Sequence, residues 1–152
     1  MTTRAKPIID WDALPDTSGA CYPESFAVKS TNSVWDPMVI TFDDTGARVG
    51  FYGGFDVPLE YVGSPELVIV WTTSAITNSV IWDFDYRVVS GNDTESLDQS
   101  GNDEAVSVVD VAPSASWERM EVTTALTSGN FSAGAEVEYF FAMDGAHADN
   151  TL

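Results

Sequence analysis

The stretch VIWDFDYRV, residues 80–88, decides the fold because its apolar and polar side chains alternate with a period of two. Successive side chains of a β-strand point to opposite faces, so this pattern predicts a strand with one apolar face. The apolar face carries Val80, Trp82, Phe84, Tyr86 and Val88. The opposite face carries Ile81, Asp83, Asp85 and Arg87, which is typical of a half-solvated antiparallel strand.

Further strands are predicted on both sides of this stretch. Their ranges are residues 38–42, 47–55, 67–73, 105–111, 117–124 and 136–143. The run at 67–73 is apolar almost throughout, which predicts a strand buried on both faces. The glycines within 47–55 indicate a bulge or the close approach of another backbone.

Turn residues separate these strands, and the sequence shows no sustained helical repeat beyond one short turn that fits residues 94–99. Strands at regular spacing with turn signals between them are typical of sandwiches. The sequence therefore predicts an all-β protein, an antiparallel β-sandwich or jelly roll of about 7–8 strands.

The first 37 residues have a different character. They contain four prolines, at positions 7, 15, 23 and 37. Their apolar residues follow neither the two-residue period of a strand nor the 3.6-residue period of a helix over any long stretch. Such a composition predicts an extended N-terminal arm over residues 1–37, with one short strand at 24–28, followed by a sandwich domain over residues 38–152.

The charge balance limits the classes of partner. The 152 residues include 24 Asp or Glu against 6 Lys or Arg, a net charge of −18. Binding to a phosphate backbone or to an anionic membrane surface requires basic side chains. The sequence therefore predicts neither a nucleic-acid partner nor a membrane partner.

The chain contains one Cys and one His, which limits the disulfides, metal sites and catalytic bases that it can form. Cys21 alone excludes an intramolecular disulfide and a CxxC metal site, and we expect it to be a small buried residue. His147 lies near the end of the sequence given, where we expect a surface position rather than a catalytic base.

One pair of carboxylates has a spacing that suits catalysis. Asp83 and Asp85 are two residues apart on a predicted strand, which places them about 7 Å apart on one face. A glycosidase uses two carboxylates separated by about 5–10 Å. The alternative is a solvated outer face on which Arg87 offsets their charge.

An acidic loop between two predicted strands offers oxygen ligands for Ca²⁺. The candidates are Asp93, Glu95, Asp98 and Asp103. Their spacing does not match an EF-hand, so a charged surface loop is the competing interpretation, and we expect no bound cofactor.

The five tryptophans divide into two groups. We expect Trp71, Trp82 and Trp117 to lie in strands and fill the core. Aromatic residues of an extended arm are typical anchors into a neighbouring surface. The interface candidates are therefore Trp11, Trp35, Tyr22 and Leu14. The alternative is that Trp11 and Trp35 cover the core of their own domain.

The order of strands and turns resembles that of small β-sandwich virion proteins of tailed bacteriophages. The segments that carry the resemblance are VITFDD (39–44), PLEY (58–61), LVIVWTTSA (67–75), VIWDFDYR (80–87) and SAGA (132–135). The resemblance implies a non-enzymatic structural subunit, such as a capsid decoration or cement protein, a head fibre or a tail component. It also implies binding to the major capsid protein, a homo-oligomer (a trimer by preference), and a place in the virion after assembly in the host cytoplasm.

The sequence departs from that pattern in residues 143–151. Met143, Asp144 and Gly145 stand where the pattern has a basic position, and no further strand follows. This departure predicts an open sheet edge that a neighbouring subunit covers by strand addition or arm exchange.

A carbohydrate-binding module is the second hypothesis, because such β-sandwiches stack exposed aromatic rings on sugars. A row of exposed rings from Trp71, Trp82 and Trp117 would favour it, whereas contacts through Trp11 and Trp35 would favour assembly. A glycosidase that uses Asp83 and Asp85 is the third.

Overall fold

A computed structural model describes residues 14–15, 20–32, 34–89 and 101–152. Nine strand segments make up the architecture in the described residues. They are β1 Leu14–Pro15, β2 Cys21–Ser25, β3 Met38–Phe42, β4 Arg48–Asp56, β5 Glu66–Trp71, β6 Ser79–Val89, β7 Glu104–Val111, β8 Met120–Ala125 and β9 Glu136–Asp144. Two short 3₁₀ turns, Phe26–Val28 and Ser128–Asn130, complete the regular structure there. The prediction of an all-β antiparallel sandwich is confirmed.

The main sheet has five strands in the order β1-β4-β9-β6-β7, and each pair of neighbours is antiparallel. The central strands are β9 and β6, which pair with each other from Trp82–Met143 to Val89–Glu136. The stretch that decided the fold is therefore an inner strand of the largest sheet.

The opposing layer consists of two separate antiparallel ladders, β2–β3 and β5–β8. Phe42 of β3 meets Trp82 of β6 edge to face, with ring centroids 5.3 Å apart. Ile69 and Trp71 of β5 lie in the same buried cluster as Trp82. Both ladders thus cover the apolar face of the main sheet.

The core forms two adjoining clusters on that face. The first surrounds Trp82, whose ring stacks on Phe141 of β9 at 5.5 Å. The second surrounds Tyr86, Tyr139 and Phe84 toward the other end of the sheet. The predicted apolar face of residues 80–88 supplies side chains to both clusters, because its alternation places them all on the inner side.

Residues that follow β9 return to the start of β6. Thr151 accepts a hydrogen bond at Oγ1 from the Ser79 N–H (3.1 Å) and donates its own N–H to the Ser79 carbonyl (3.0 Å). Leu152 packs against the first core cluster. The end of residues 143–151, after which an open sheet edge was expected, therefore lies beside the start of β6.

Two strand predictions were wrong about burial. The run at 67–73 is not buried on both faces, because Val68 and Val70 of β5 lie on the outer side of a two-stranded ladder and are about half exposed. The outer face of β6 is not half-solvated throughout, since Ile81 and Asp83 are buried.

Two local predictions also need correction. Trp117 does not lie in a strand; it sits in a turn before β8 with φ of 68°. The short strand expected at 24–28 lies instead at Cys21–Ser25, and a 3₁₀ turn follows it.

The predicted N-terminal arm is only partly within the described residues. Residues 1–13, 16–19 and 33 lie outside them, as does the helical turn expected at 94–99. β2 pairs with β3 over five residues, and Cys21 is buried, so this part of residues 1–37 packs into the sandwich.

Within the described part of the chain, no helix combines the length and the apolar character that crossing a membrane requires.

Candidate functional site

A charged cluster lies on the outer face of the main sheet. Arg48 at the start of β4 donates from Nε to Asp83 Oδ2 and from Nη2 to Asp85 Oδ2, both at 2.7 Å. The Ser107 hydroxyl donates to the other Asp83 oxygen, Oδ1, at 2.6 Å. One guanidinium thus binds the two carboxylates that the sequence singled out.

The register of the sheet explains how Arg48 reaches β6. Gly50 of β4 is opposite Ala142 of β9, and Ala142 is opposite Asp83 of β6. Gly50 and Ala142 present little or no side chain on this face, so the Arg48 side chain passes over β9 to Asp83. Small residues at these two positions are what the long-range ion pair requires.

An aromatic pair borders the cluster. Tyr52 of β4 and Phe140 of β9 are opposite each other, and their ring centroids are 4.6 Å apart. The Arg48 guanidinium carbon lies 4.9 Å from the Phe140 centroid, within range of a cation–π contact. Tyr52 remains 55% exposed, so this face offers solvent an aromatic side chain beside charged groups.

The cluster keeps Arg48 charged. Partial burial of the guanidinium opposes its charged form, but the hydrogen bonds to Asp85 and Asp83 outweigh that effect and raise the pKa of Arg48 above its ordinary value. A glycoside would have to displace Arg48 to contact both carboxylates. The arrangement itself joins β4 to β6 across β9.

Arg87, the cation expected to offset Asp83 and Asp85, has a different partner. It forms an ion pair with Glu138 on β9. The sequence pattern did not identify Arg48 as a partner of Asp83, because the two residues are 35 positions apart. The only local signal is that a cation precedes the glycines of β4.

Of the Ca²⁺ candidates, only Asp103 lies within the described residues; Asp93, Glu95 and Asp98 are outside them. Asp103 Oδ2 accepts the backbone N–H of Val88 at 2.7 Å. This hydrogen bond joins the end of β6 to the residue that precedes β7. No group of three or more potential metal-ligating side chains occurs in the ranges that the structure describes.

The interface candidates occupy different positions. Trp35 is 83% exposed in the connection between β2 and β3, and Tyr22 is half-buried on β2. Leu14 belongs to β1, whose backbone pairs with Tyr52 of β4. Trp11 lies outside the described residues.

The remaining tryptophans do not form a row on the surface. Trp71 and Trp82 are buried, as predicted, and Trp71 Nε1 donates to Asp110 Oδ2 of β7 at 2.8 Å. Trp117 is half-buried and meets Phe26 edge to face at 5.5 Å.

A second polar network was missed because its members are scattered along the sequence. The Tyr86 hydroxyl donates to Glu104 Oε2 of β7 and accepts from Asn130 Nδ2. Glu104 also accepts the N–H of Thr127 at 2.9 Å. Burial first, and then the hydrogen bond to Glu104, raise the pKa of Tyr86 well above its ordinary value. This network joins the inner face of β6 to the β8–β9 connection.

His147 lies in the turn after β9, where its Nδ1 accepts the N–H of Asp149 at 3.2 Å. Its side chain is exposed there, as the sequence predicted.

Apolar side chains are exposed at several places on the sandwich. They include Val28, Val34 and Trp35 in the connection between β2 and β3, Val68 and Val70 on β5, Val109 and Val111 on β7, and Leu59, Val62 and Ile76 in other connections. Scattered exposed apolar residues are ordinary, whereas several together mark an interaction surface.

No protein-family model, no curated protein and no solved structure matches this chain.

Proposed function

We propose that this chain is a non-enzymatic structural subunit that binds other proteins of a particle. In its most specific form the proposal is a decoration or cement subunit on the outer shell of a virion, which binds the major shell protein and sister subunits. That form rests on the resemblance of the strand order to phage virion proteins.

The observation that carries the proposal is the exposure of large apolar side chains in the hairpin tip, which we define as residues 26–32 and 34–37 between β2 and β3. Trp35 and Val34 are exposed over 83% and 89% of their surfaces, and Val28 is also exposed. Tryptophans at protein interfaces frequently dominate the binding energy.

The tip is held in a defined conformation. The Ser25 hydroxyl and the Ala27 N–H both donate to the Asp36 carboxylate, and the Phe26 N–H donates to the Pro37 carbonyl at 3.0 Å. The hydrogen bond from Ser25, and then that from Ala27, lower the pKa of Asp36. A loop that is ordered before binding loses less conformational entropy on docking, which favours affinity.

The first test is quantitative mass spectrometry of purified virus particles from the source material, with copies of this chain measured per copy of the major shell protein. A ratio close to one, or to a simple fraction, supports a decoration role. A few copies per particle would place the chain in the tail or at a vertex, which is the fibre or tail alternative. Absence from the particles would overturn the virion form.

The second test locates the binding surface. Trp35→Ser should lose most rebinding to particles that have been stripped of this chain, because it removes the largest exposed ring of the tip. Leu59→Ser is the matched control, since Leu59 is equally exposed in a separate connection. Equal rebinding by both variants would show that the tip is not the contact surface.

Carbohydrate binding remains the second candidate, and the Tyr52–Phe140 pair is the observation that favours it. An exposed ring beside Arg48 and Asp85 combines a stacking surface with hydrogen-bonding groups. A glycan array with the wild-type chain and Tyr52→Ala tests it. Binding that Tyr52→Ala abolishes would support this candidate, and no binding to any glycan would count against it.

A further inference from the structure

β7 forms one edge of the main sheet in the described residues. It pairs with β6 through eight consecutive positions, from Glu104 opposite Tyr86 to Val111 opposite Ser79. The Ala112 N–H donates to the Asn78 carbonyl. This bond shows which alternate residues of β7 direct their backbone groups toward β6. The backbone groups of Ala105, Ser107 and Val109 therefore point away from β6, and no strand in the described ranges pairs with them.

Within the described residues, this edge has few of the features that protect sheet edges. Natural edge strands are blunted by lysines, prolines, bulges, inward-pointing charges, short length or a covering segment. The sequence of β7, EAVSVVDV, contains no lysine or proline, and its register with β6 is regular. A long and regular edge without lysine, proline or bulge is a template for strand addition.

The outward side chains of β7 are uncharged. They are Ala105, Ser107, Val109 and Val111. The two acids of the strand point inward, where Glu104 binds Tyr86 and Thr127, and Asp110 binds Trp71. The edge is thus an uncharged strip on a chain whose net charge is −18.

This charge distribution favours a second copy of the chain as the partner. A basic strand would gain nothing from the acids of β7, because both already have partners inside the sandwich. A second copy carries the same net charge and is repelled over most of its surface. At this strip it meets no like charge. The outward-pointing backbone groups of its own β7 supply the hydrogen bonds that the edge lacks.

We propose that β7 pairs antiparallel with β7 of a second copy about a twofold axis, so that two main sheets become one continuous sheet. The inference deepens the assembly role proposed above and rests on it, because it names the sister-subunit contact. It uses a surface separate from the hairpin tip.

Charge selects the register of this pairing. An axis at Val108 places Ser107 opposite Val109 of the second copy and Ala105 opposite Val111 of the second copy. On the inner side, Asp110 then faces Val106 of the second copy. An axis at Ser107 would instead place Glu104 opposite Asp110 of the second copy, and like charges directly opposite each other destabilise a sheet.

Sedimentation of the full chain over a wide range of concentrations tests the proposal. The wild type should sediment with twice the mass of one chain, and Val109→Lys should sediment as a monomer at the same concentrations. Val68→Lys is the matched control, because Val68 on β5 is exposed to a similar extent (49% against 53%) and the charge change is identical. Near-ultraviolet circular dichroism shows that both variants are folded.

Cross-linking tests the register independently of stability. Ala105→Cys and Val111→Cys chains, mixed and oxidised, should form a disulfide-linked pair, because residues directly opposite in an antiparallel ladder have Cα atoms about 5.5 Å apart. Either variant alone should remain largely uncrosslinked. The native Cys21 is buried and does not compete.

Three outcomes would overturn the inference: a wild-type monomer at every concentration, a trimer, or a dimer that Val109→Lys leaves intact. A monomer that is nevertheless present in stoichiometric amounts on particles would remove this contact and retain the proposed function. A β7-linked dimer that is absent from particles would retain this contact and remove the virion form of the proposed function.

Discussion

Arg48 on β4 and Asp83 on β6 form an ion pair across β9, the strand that separates them in the sheet. The Asp83 side chain is 10% exposed and that of Arg48 is 35% exposed, so solvent screens the pair only in part. Removing one partner leaves the other charge poorly solvated.

Arg48→Met should therefore destabilise the fold. We expect a loss of about 1–3 kcal/mol, less than for a fully buried pair because Arg48 is partly exposed. Urea unfolding measures it. Arg119→Met is the control, since Arg119 forms an exposed pair with Glu121 and should cost at most about 0.5 kcal/mol. Equal costs for both variants would contradict a structural role for Arg48.

Glu104 should make the stability depend on acid pH. Partial burial of this carboxyl opposes ionisation, but hydrogen bonds from Tyr86 and Thr127 outweigh it and lower the pKa of Glu104 below its ordinary value of 4.5. A carboxylate with a lowered folded-state pKa stabilises the fold above its unfolded-state pKa. That contribution is lost as the pH falls through the lower, folded-state value.

The comparison of Glu104→Gln with wild type isolates this effect. The difference in unfolding free energy should be largest near neutral pH and should shrink steadily as the pH falls below about 4.5. Glu121→Gln, on the outer face of β8, is the control. A difference for Glu104→Gln that does not vary with pH would show that the loss comes from packing alone.

Gly50→Ala should be among the most damaging small substitutions. A Cβ at this position would lie 2.2 Å from the Phe141 carbonyl oxygen and 2.7 Å from the Ala142 Cβ. Backbone of a central strand cannot shift easily, so we expect a loss of about 3 kcal/mol or more, or failure to fold. Gly129→Ala, whose Cβ would meet nothing within 4 Å, should stay within about 0.5 kcal/mol of wild type in the same thermal or urea assay.

The Trp71–Asp110 hydrogen bond should couple the two layers of the sandwich. Trp71→Phe removes the indole donor, and we expect it to cost about 1–3 kcal/mol through the lost bond and lost volume. A double-mutant cycle with Asp110→Ala, which removes the acceptor, separates these contributions, with an expected coupling of about 1 kcal/mol. Additive effects of the two substitutions would show that the bond contributes nothing.

Period-two alternation was enough to identify β6 and its inner face. The same pattern misjudged the outer face, because the burial of Asp83 depends on Arg48, which approaches from a strand distant in sequence. The β5 run was ambiguous for a related reason. A continuous apolar segment indicates a strand, but whether its second face is covered depends on the layer that it joins, here a two-stranded ladder open to solvent.

The glycines of β4 predicted either a bulge or the close approach of another backbone, and Gly50 against β9 shows the close approach. Trp117 shows the opposite limit. The alternation of residues 117–124 favoured a strand that begins at Trp117. Trp117 instead has a positive φ in a turn, and its N–H donates to the Thr73 carbonyl. Such long-range constraints are absent from any local pattern.

Cys21 is the single thiol of the chain, and it is buried where β2 pairs with Phe42 of β3. A thiol reagent can reach it only when the structure around this hairpin opens. A labelling rate under native conditions that exceeds the rate of global unfolding therefore reports sub-global opening of this region. The native sequence thus contains its own kinetic probe of the element that carries the exposed Trp35.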